Sequence, residues 1–133
     1  MLVTDIVEYI HGLTREFPSI TSVWLIGSRA NACFKDSSDW DLLAFADEKT
    51  FEQIKKADNF KCTTIDLLIV YNGNNFEEPW PDIGNNVAKS GSLKDWKWLQ
   101  LSEHEATYKG TKDLPNGKVQ SKILKAINIW HNT

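Results

Sequence analysis

An apolar run that stops at Gly27-Ser28, and a second that opens on Asp39-Trp40-Asp41, constrain this chain more than any other feature. The first, Val23-Trp24-Leu25-Ile26, reads as a strand whose tip enters a tight turn at Gly27-Ser28-Arg29-Ala30. The second continues as Leu42-Leu43 and carries carboxylates at i and i+2. On an extended strand those positions share a face, about 6.6 Å apart along the chain. Carboxylates so placed can share divalent cations held about 3.5–4 Å apart, as in two-metal phosphoryl chemistry.

A third acid extends the pattern. Thr63-Thr64-Ile65-Asp66-Leu67-Leu68-Ile69-Val70 reads as a buried strand with one carboxylate embedded in it. An ionised acid in such a run is costly unless a charge meets it. If this strand lies beside the Asp39-Asp41 strand, about 4.8 Å away, Asp66 closes a three-carboxylate cluster. That is a hard-cation site, suited to magnesium with waters and substrate phosphates completing its shell.

In these residues the chain resembles the nucleotidyltransferase superfamily that includes DNA polymerase beta, and most of all its small, stand-alone minimal nucleotidyltransferase proteins of prokaryotes. The likeness rests on Ile26-Gly27-Ser28, on Asp39-Trp40-Asp41-Leu42 and on Ile65-Asp66-Leu67, in that order, with Arg29-Ala30 a common continuation of the turn. It covers roughly residues 20–71 and leaves the C-terminal half unmatched. It departs at Ala32, where many relatives carry glycine. The resemblance implies a polymerase beta-like fold: α+β, a small mixed sheet with helices packed on it, over one domain spanning residues 1–133. It implies that Asp39 and Asp41 hold Mg2+ or Mn2+ ions bridging the triphosphate of an NTP. Asp66 would bind one of those metals and help deprotonate a hydroxyl acceptor. Gly27 and Ser28, with Arg29 nearby, would bind the phosphates. Independently of the family, glycine lets backbone approach a phosphate closely, and a helix starting just after the turn offers N–H groups to an anion.

The remaining elements follow from periodicity. Thr4 caps a helix over 5–16, with Ile6, Tyr9, Ile10 and Leu13 on one face. Strands are expected at Ser22–Ile26, about 40–46 and about 62–71, with a short helical turn and loop over 29–38. Thr50-Phe51-Glu52-Gln53 is a capping-box pattern that opens a helix to about Ala57. Asn72-Gly73-Asn74-Asn75 and Pro79-Trp80-Pro81 read as loop. Further on, Lys94–Leu101 and Glu105–Lys109 form a hairpin. Val119, Ile123, Ile127 and Trp130 mark a helix on the sheet.

At 133 residues, 41% hydrophobic and 25% charged, the chain matches one globular domain, with no apolar run long enough for a membrane. No charged-then-apolar leader opens it, and Cys33 and Cys62 lack metal-type spacing, so free thiols in the cytoplasm are expected. His11, His104 and His131 are scattered and take no ligand role. Residues 1–83 carry a net charge of −7 and residues 84–133 a net of +4. Lys89, Lys94, Lys97, Lys109 and Lys112, interleaved with Trp96 and Trp98, form either a surface for a base or nucleic acid, or a solvated face over tryptophans turned into the core. The weak net charge favours the second. Two functions remain open. The chain is a metal-dependent enzyme transferring a nucleoside monophosphate, or it is an antitoxin-like regulatory module acting with, or modifying, a helical protein partner.

Overall fold

Continuous apolar runs in three early strands require cover on both sheet faces, and that requirement organises the molecule. The computed structural model describes residues 3–31, 39–81, 88–113 and 115–132. Helix α1 (Val3–Glu16) leads into β1 (Ser22–Ile26), a single helical turn α2 (Gly27–Ala30), β2 (Trp40–Phe45), α3 (Glu48–Lys55) and β3 (Ile65–Tyr71). Strands β4 (Asn75–Glu77), β5 (Ser90–Ser92), β6 (Leu99–Gln100), β7 (Glu105–Asp113) and β8 (Val119–His131) follow. They join one eight-stranded sheet in the order β5-β4-β3-β2-β1-β8-β7-β6. Among the described residues only β2 and β3 run parallel, and the other strand pairings are antiparallel.

Alternate residues build two cores. On one face Val23, Leu25, Leu42, Ala44, Leu67 and Ile69 meet Ile6, Ile10 and Leu13 of α1 and Phe51 and Ile54 of α3. Trp80 seals that side, its indole N–H donating to the Ile54 carbonyl at 2.9 Å. On the opposite face Trp24, Leu43, Leu68 and Val70 meet Phe76, Leu93, Tyr108 and Ala126, with no helix among them. The segment between β5 and β6 lays Trp96 and Trp98 across this second core. Trp98 stands edge-on to Trp24 with centroids 5.2 Å apart, and Trp96 lies 4.4 Å from Phe76. The tryptophans of the Lys/Trp segment are therefore half-buried against this second core.

Several expectations are overturned. The fold is not a small sheet packed with helices in the polymerase beta manner. Strands dominate, the sheet is wide, and among the described residues helices cover one face only. The expected C-terminal helix is strand β8, which inserts between β1 and β7. Its helix-like spacing has a local cause. Val23 pairs with Trp130 but Trp24 pairs with Asn128, so Ile129 is the extra residue of a β-bulge. The bulge puts Ile127 and Trp130 on the same face although they are three apart, while Ile123 is left 68% exposed. Lys94–Leu101 contributes only the two-residue β6. Helix α3 begins at Glu48, because the Asp47 carboxylate accepts the Thr50 N–H and Thr50 is buried inside the helix. Thr4 lies within α1 rather than ahead of it. Of the loop expected over 72–75, residues 72–74 form the turn of the β3–β4 hairpin, with Asn72 and Gly73 at positive φ (54° and 71°), while Asn75 opens β4. Ala32, Cys33 and the rest of the 32–38 loop fall outside the described residues.

Candidate active site

Register brings the acids together. Asp41 is the second residue of β2 and pairs with Ile26 at the end of β1 on one side and with Asp66 of β3 on the other. By alternation Ile26, Asp41 and Asp66 all face the helix-free side, where the first core residues behind them are Leu43 and Leu68. The two carboxyl groups hydrogen-bond to each other. Burial, then the charge and hydrogen bond of Asp66, and then the charge of Asp39, push Asp41 up to about 6, partly opposed by Lys89. Asp39 precedes β2 and is exposed. It contributes field but does not close the cluster: among the described residues no three such side chains converge on a common ion position. The expected trio is thus a pair with a charged neighbour.

Gly27 supports that pair. Its φ is +72°, a conformation that costs other residues, and a Cβ there would collide with the Asp41 carboxylate. Its N–H donates to the Tyr108 hydroxyl at 2.8 Å. The Gly27 amide is therefore satisfied from within the chain. The Gly27 carbonyl accepts the Asn31 amide at 2.8 Å, and Asn31 reaches β8 through the Lys125 carbonyl and N–H at 3.1 and 2.8 Å. The turn is thereby tied to both C-terminal strands. Burial raises the Tyr108 pKa, with the Asp41 charge adding to it, so this hydroxyl stays protonated.

Gly27, Asp41, Asp66, Lys89, Trp96 and Tyr108 line a cavity of about 180 Å³. Asp66 and Lys89 also line a neighbouring one of about 260 Å³, bounded by Cys62, Glu78 and Trp80. Ser28 follows Gly27 in α2 and is half-buried. Arg29 turns to the other side of the sheet, its guanidinium 4.1 Å from the centre of the Trp40 ring. Cys62 is a free thiol beside the Thr64 hydroxyl.

Sequence reasoning gave no role to Tyr108 or Asn31. Nothing local marks either residue, because their partners lie 81 and 94 positions away. Lys89 and Trp96 were legible only as members of the Lys/Trp segment.

The donor set of the pair is all hard oxygen, which suits Mg2+ or Mn2+. Magnesium commonly uses one or two carboxylates and leaves its other positions to water and phosphate. A cation between Asp41 and Asp66 would also relieve their repulsion, so the residues fit such an ion. No helix among the described residues is long and apolar enough to cross a membrane. The chain matches no protein-family model, and neither a curated protein nor a solved structure is detectably similar to it.

Proposed function

We propose that the chain is a metal-dependent nucleotidyltransferase, transferring a nucleoside monophosphate from an NTP to a hydroxyl acceptor. The observation that carries this reading is the Asp41–Asp66 pair, opposed in register on parallel strands beside the Gly27-Ser28 turn. Asp41 and Asp66 would hold Mg2+ or Mn2+, which when bound neutralises phosphate charge. Asp39 adds negative potential at the rim. Ser28 offers a hydroxyl to the phosphate oxygens, and Lys89 faces them from the opposite wall. In the transfer, the acceptor oxygen forms a bond to the α-phosphorus as the bond to the β-phosphate oxygen breaks and pyrophosphate leaves. The acceptor's proton passes to the Asp66 carboxylate, the exposed member of the pair. An NTP substrate and a free Cys62 thiol suit the reducing cytoplasm.

Calorimetry with Mg2+ or Mn2+ tests the reading directly. ATP or GTP is expected to bind only with metal and to raise the melting temperature by mass action. Asp41→Asn should abolish metal-dependent binding, and Ser28→Ala should weaken it roughly ten- to a hundredfold with little change in stability. Absence of nucleotide affinity with either metal at millimolar concentration would overturn the proposal. A second reading, the antitoxin-like module that works through a protein partner, draws support from the Gly27 amide being held by Tyr108. Nucleotide-independent capture of an all-helical protein would favour it.

A further inference from the structure

The basic charge of the C-terminal half is concentrated in one place. Residues 109–125 carry five lysines and one aspartate, a net of +4, and the other residues after 83 are neutral in sum. Against an overall −3, the rest of the chain therefore carries −7. The basic stretch is an arm of the sheet. Strand β8 pairs with β1 only from Ile127 onward, and β7 pairs with β6 only at Ala106 and Thr107. The pairs from Gly110–Lys122 out to Asp113–Val119 are joined only to each other among the described residues. That is about 10 Å of two-stranded ribbon at roughly 3.3 Å per residue. It ends in a turn whose Pro115, Asn116, Gly117 and Lys118 are exposed. The root is fixed. The Tyr108 hydroxyl accepts the Gly27 N–H, the Lys109 N–H donates to the Trp96 carbonyl, and the Asn31 side chain brackets the Lys125 backbone.

Lysines stand on both faces of this ribbon. Tyr108 and Leu124 belong to the helix-free core, and by alternation Lys122 shares their side. Lys109 and Lys125 share the side of Ile127, which packs on the other core. Lys109, Lys118, Lys122 and Lys125 are exposed, and none forms an ion pair among the described residues. Charge on a single face would suit a flat anionic surface. Charge on both faces suits a ribbon with phosphates on either side of it. The major groove of B-form DNA, about 12 Å wide, admits a two-stranded ribbon, whereas that of A-form RNA is too narrow. Residues 109–125 contain no aromatic side chain on which an unpaired base could stack, which disfavours a single strand. Repulsion from the acidic body is screened within about 8 Å at physiological salt, less than the reach of the arm. We propose that the β7–β8 arm binds double-stranded DNA, without sequence preference, by entering its major groove. This role requires neither metal nor nucleotide and does not rest on the transferase reading.

Fluorescence anisotropy with a labelled 20-base-pair DNA duplex, in EDTA and without nucleotide, tests it. With about four lysines on phosphates, affinity should fall roughly a hundredfold between 50 and 200 mM NaCl. Lys122→Gln and Lys125→Gln should each lower the slope of log affinity against log salt by about one. The triple variant Lys118→Gln/Lys122→Gln/Lys125→Gln should lose most of the binding while melting at the parent temperature, because these side chains are exposed. Lys94→Gln, an exposed lysine outside the arm, should change neither affinity nor slope. A duplex RNA and a single-stranded DNA of the same length should bind more weakly than the DNA duplex. No duplex binding at 50 mM NaCl would overturn the proposal, as would unaltered binding by the triple variant. Single-stranded DNA held as tightly as the duplex would overturn it too. Flotation with phosphatidylserine vesicles without any binding of duplex would assign the arm to a lipid surface instead. Because metal and nucleotide are absent, none of these outcomes depends on whether Asp41 and Asp66 support transfer.

Discussion

Asp41 is held against its own preference. Its ordinary value of 3.8 rises to about 6 in the folded chain, so between those values the native state binds a proton that the unfolded state has released. Stability is therefore greatest at low pH in this respect and falls as pH rises through about 6. Asparagine cannot ionise and keeps a donor toward Asp66. Asp41→Asn should stabilise the protein at pH 7–8 by on the order of 1–2 kcal/mol, after allowing for solvent screening. At pH 4 it should change little; melting curves at the two pH values check this. A variant that is destabilised at pH 8 would mean that the carboxylate serves the fold. Gly27 is the complementary case. Alanine there must adopt a positive φ and displace Asp41, at a cost of about 2 kcal/mol or more in urea denaturation. Tyr108→Phe leaves the Gly27 N–H without its acceptor and should cost about 1 kcal/mol.

Among the elements, what could be read from sequence was what local chemistry decides. Helix α1 and strands β1 to β3 lie near where the periodicity of Ile6, Ile10 and Leu13 and the apolar runs put them, within a few residues. Asp41 and Asp66 meet because β2 and β3 are neighbours, which was the condition attached to the expected cluster. What failed was non-local. The bulge at Ile129 gave a strand the spacing of a helix, and no nearby residue reveals that β1 is its partner. Two local signals were nevertheless open to a better reading. Asp47 precedes α3 as a capping residue, and Asp47→Ala should cost about 1 kcal/mol. Asn72-Gly73 marks a hairpin, and Gly73→Val, forced into the left-handed region, should cost about 1–3 kcal/mol and loosen β4. Amide exchange across the β3–β4 pairs would show that loosening directly.

At the scale of the whole molecule, the motif-bearing strands are not self-sufficient. Ala126 of β8 is fully buried in the helix-free core, and Ile127 and Trp130 pack on the other core. A chain ending at Lys118 should therefore show no cooperative thermal transition, although it retains Asp39, Asp41, Asp66 and Gly27. A sharp melt of that truncated chain would show that residues 1–118 fold alone. The pairing of Ser22 with His131 has a consequence during synthesis. Elongation at about 5–20 residues per second separates the two strands by about 5–20 s on the ribosome. Through that interval β1 can hydrogen-bond to β2 on one side only, and its other edge stays open. A nascent chain of this kind is a natural client for ribosome-associated chaperones, and slowing translation should lower its soluble yield.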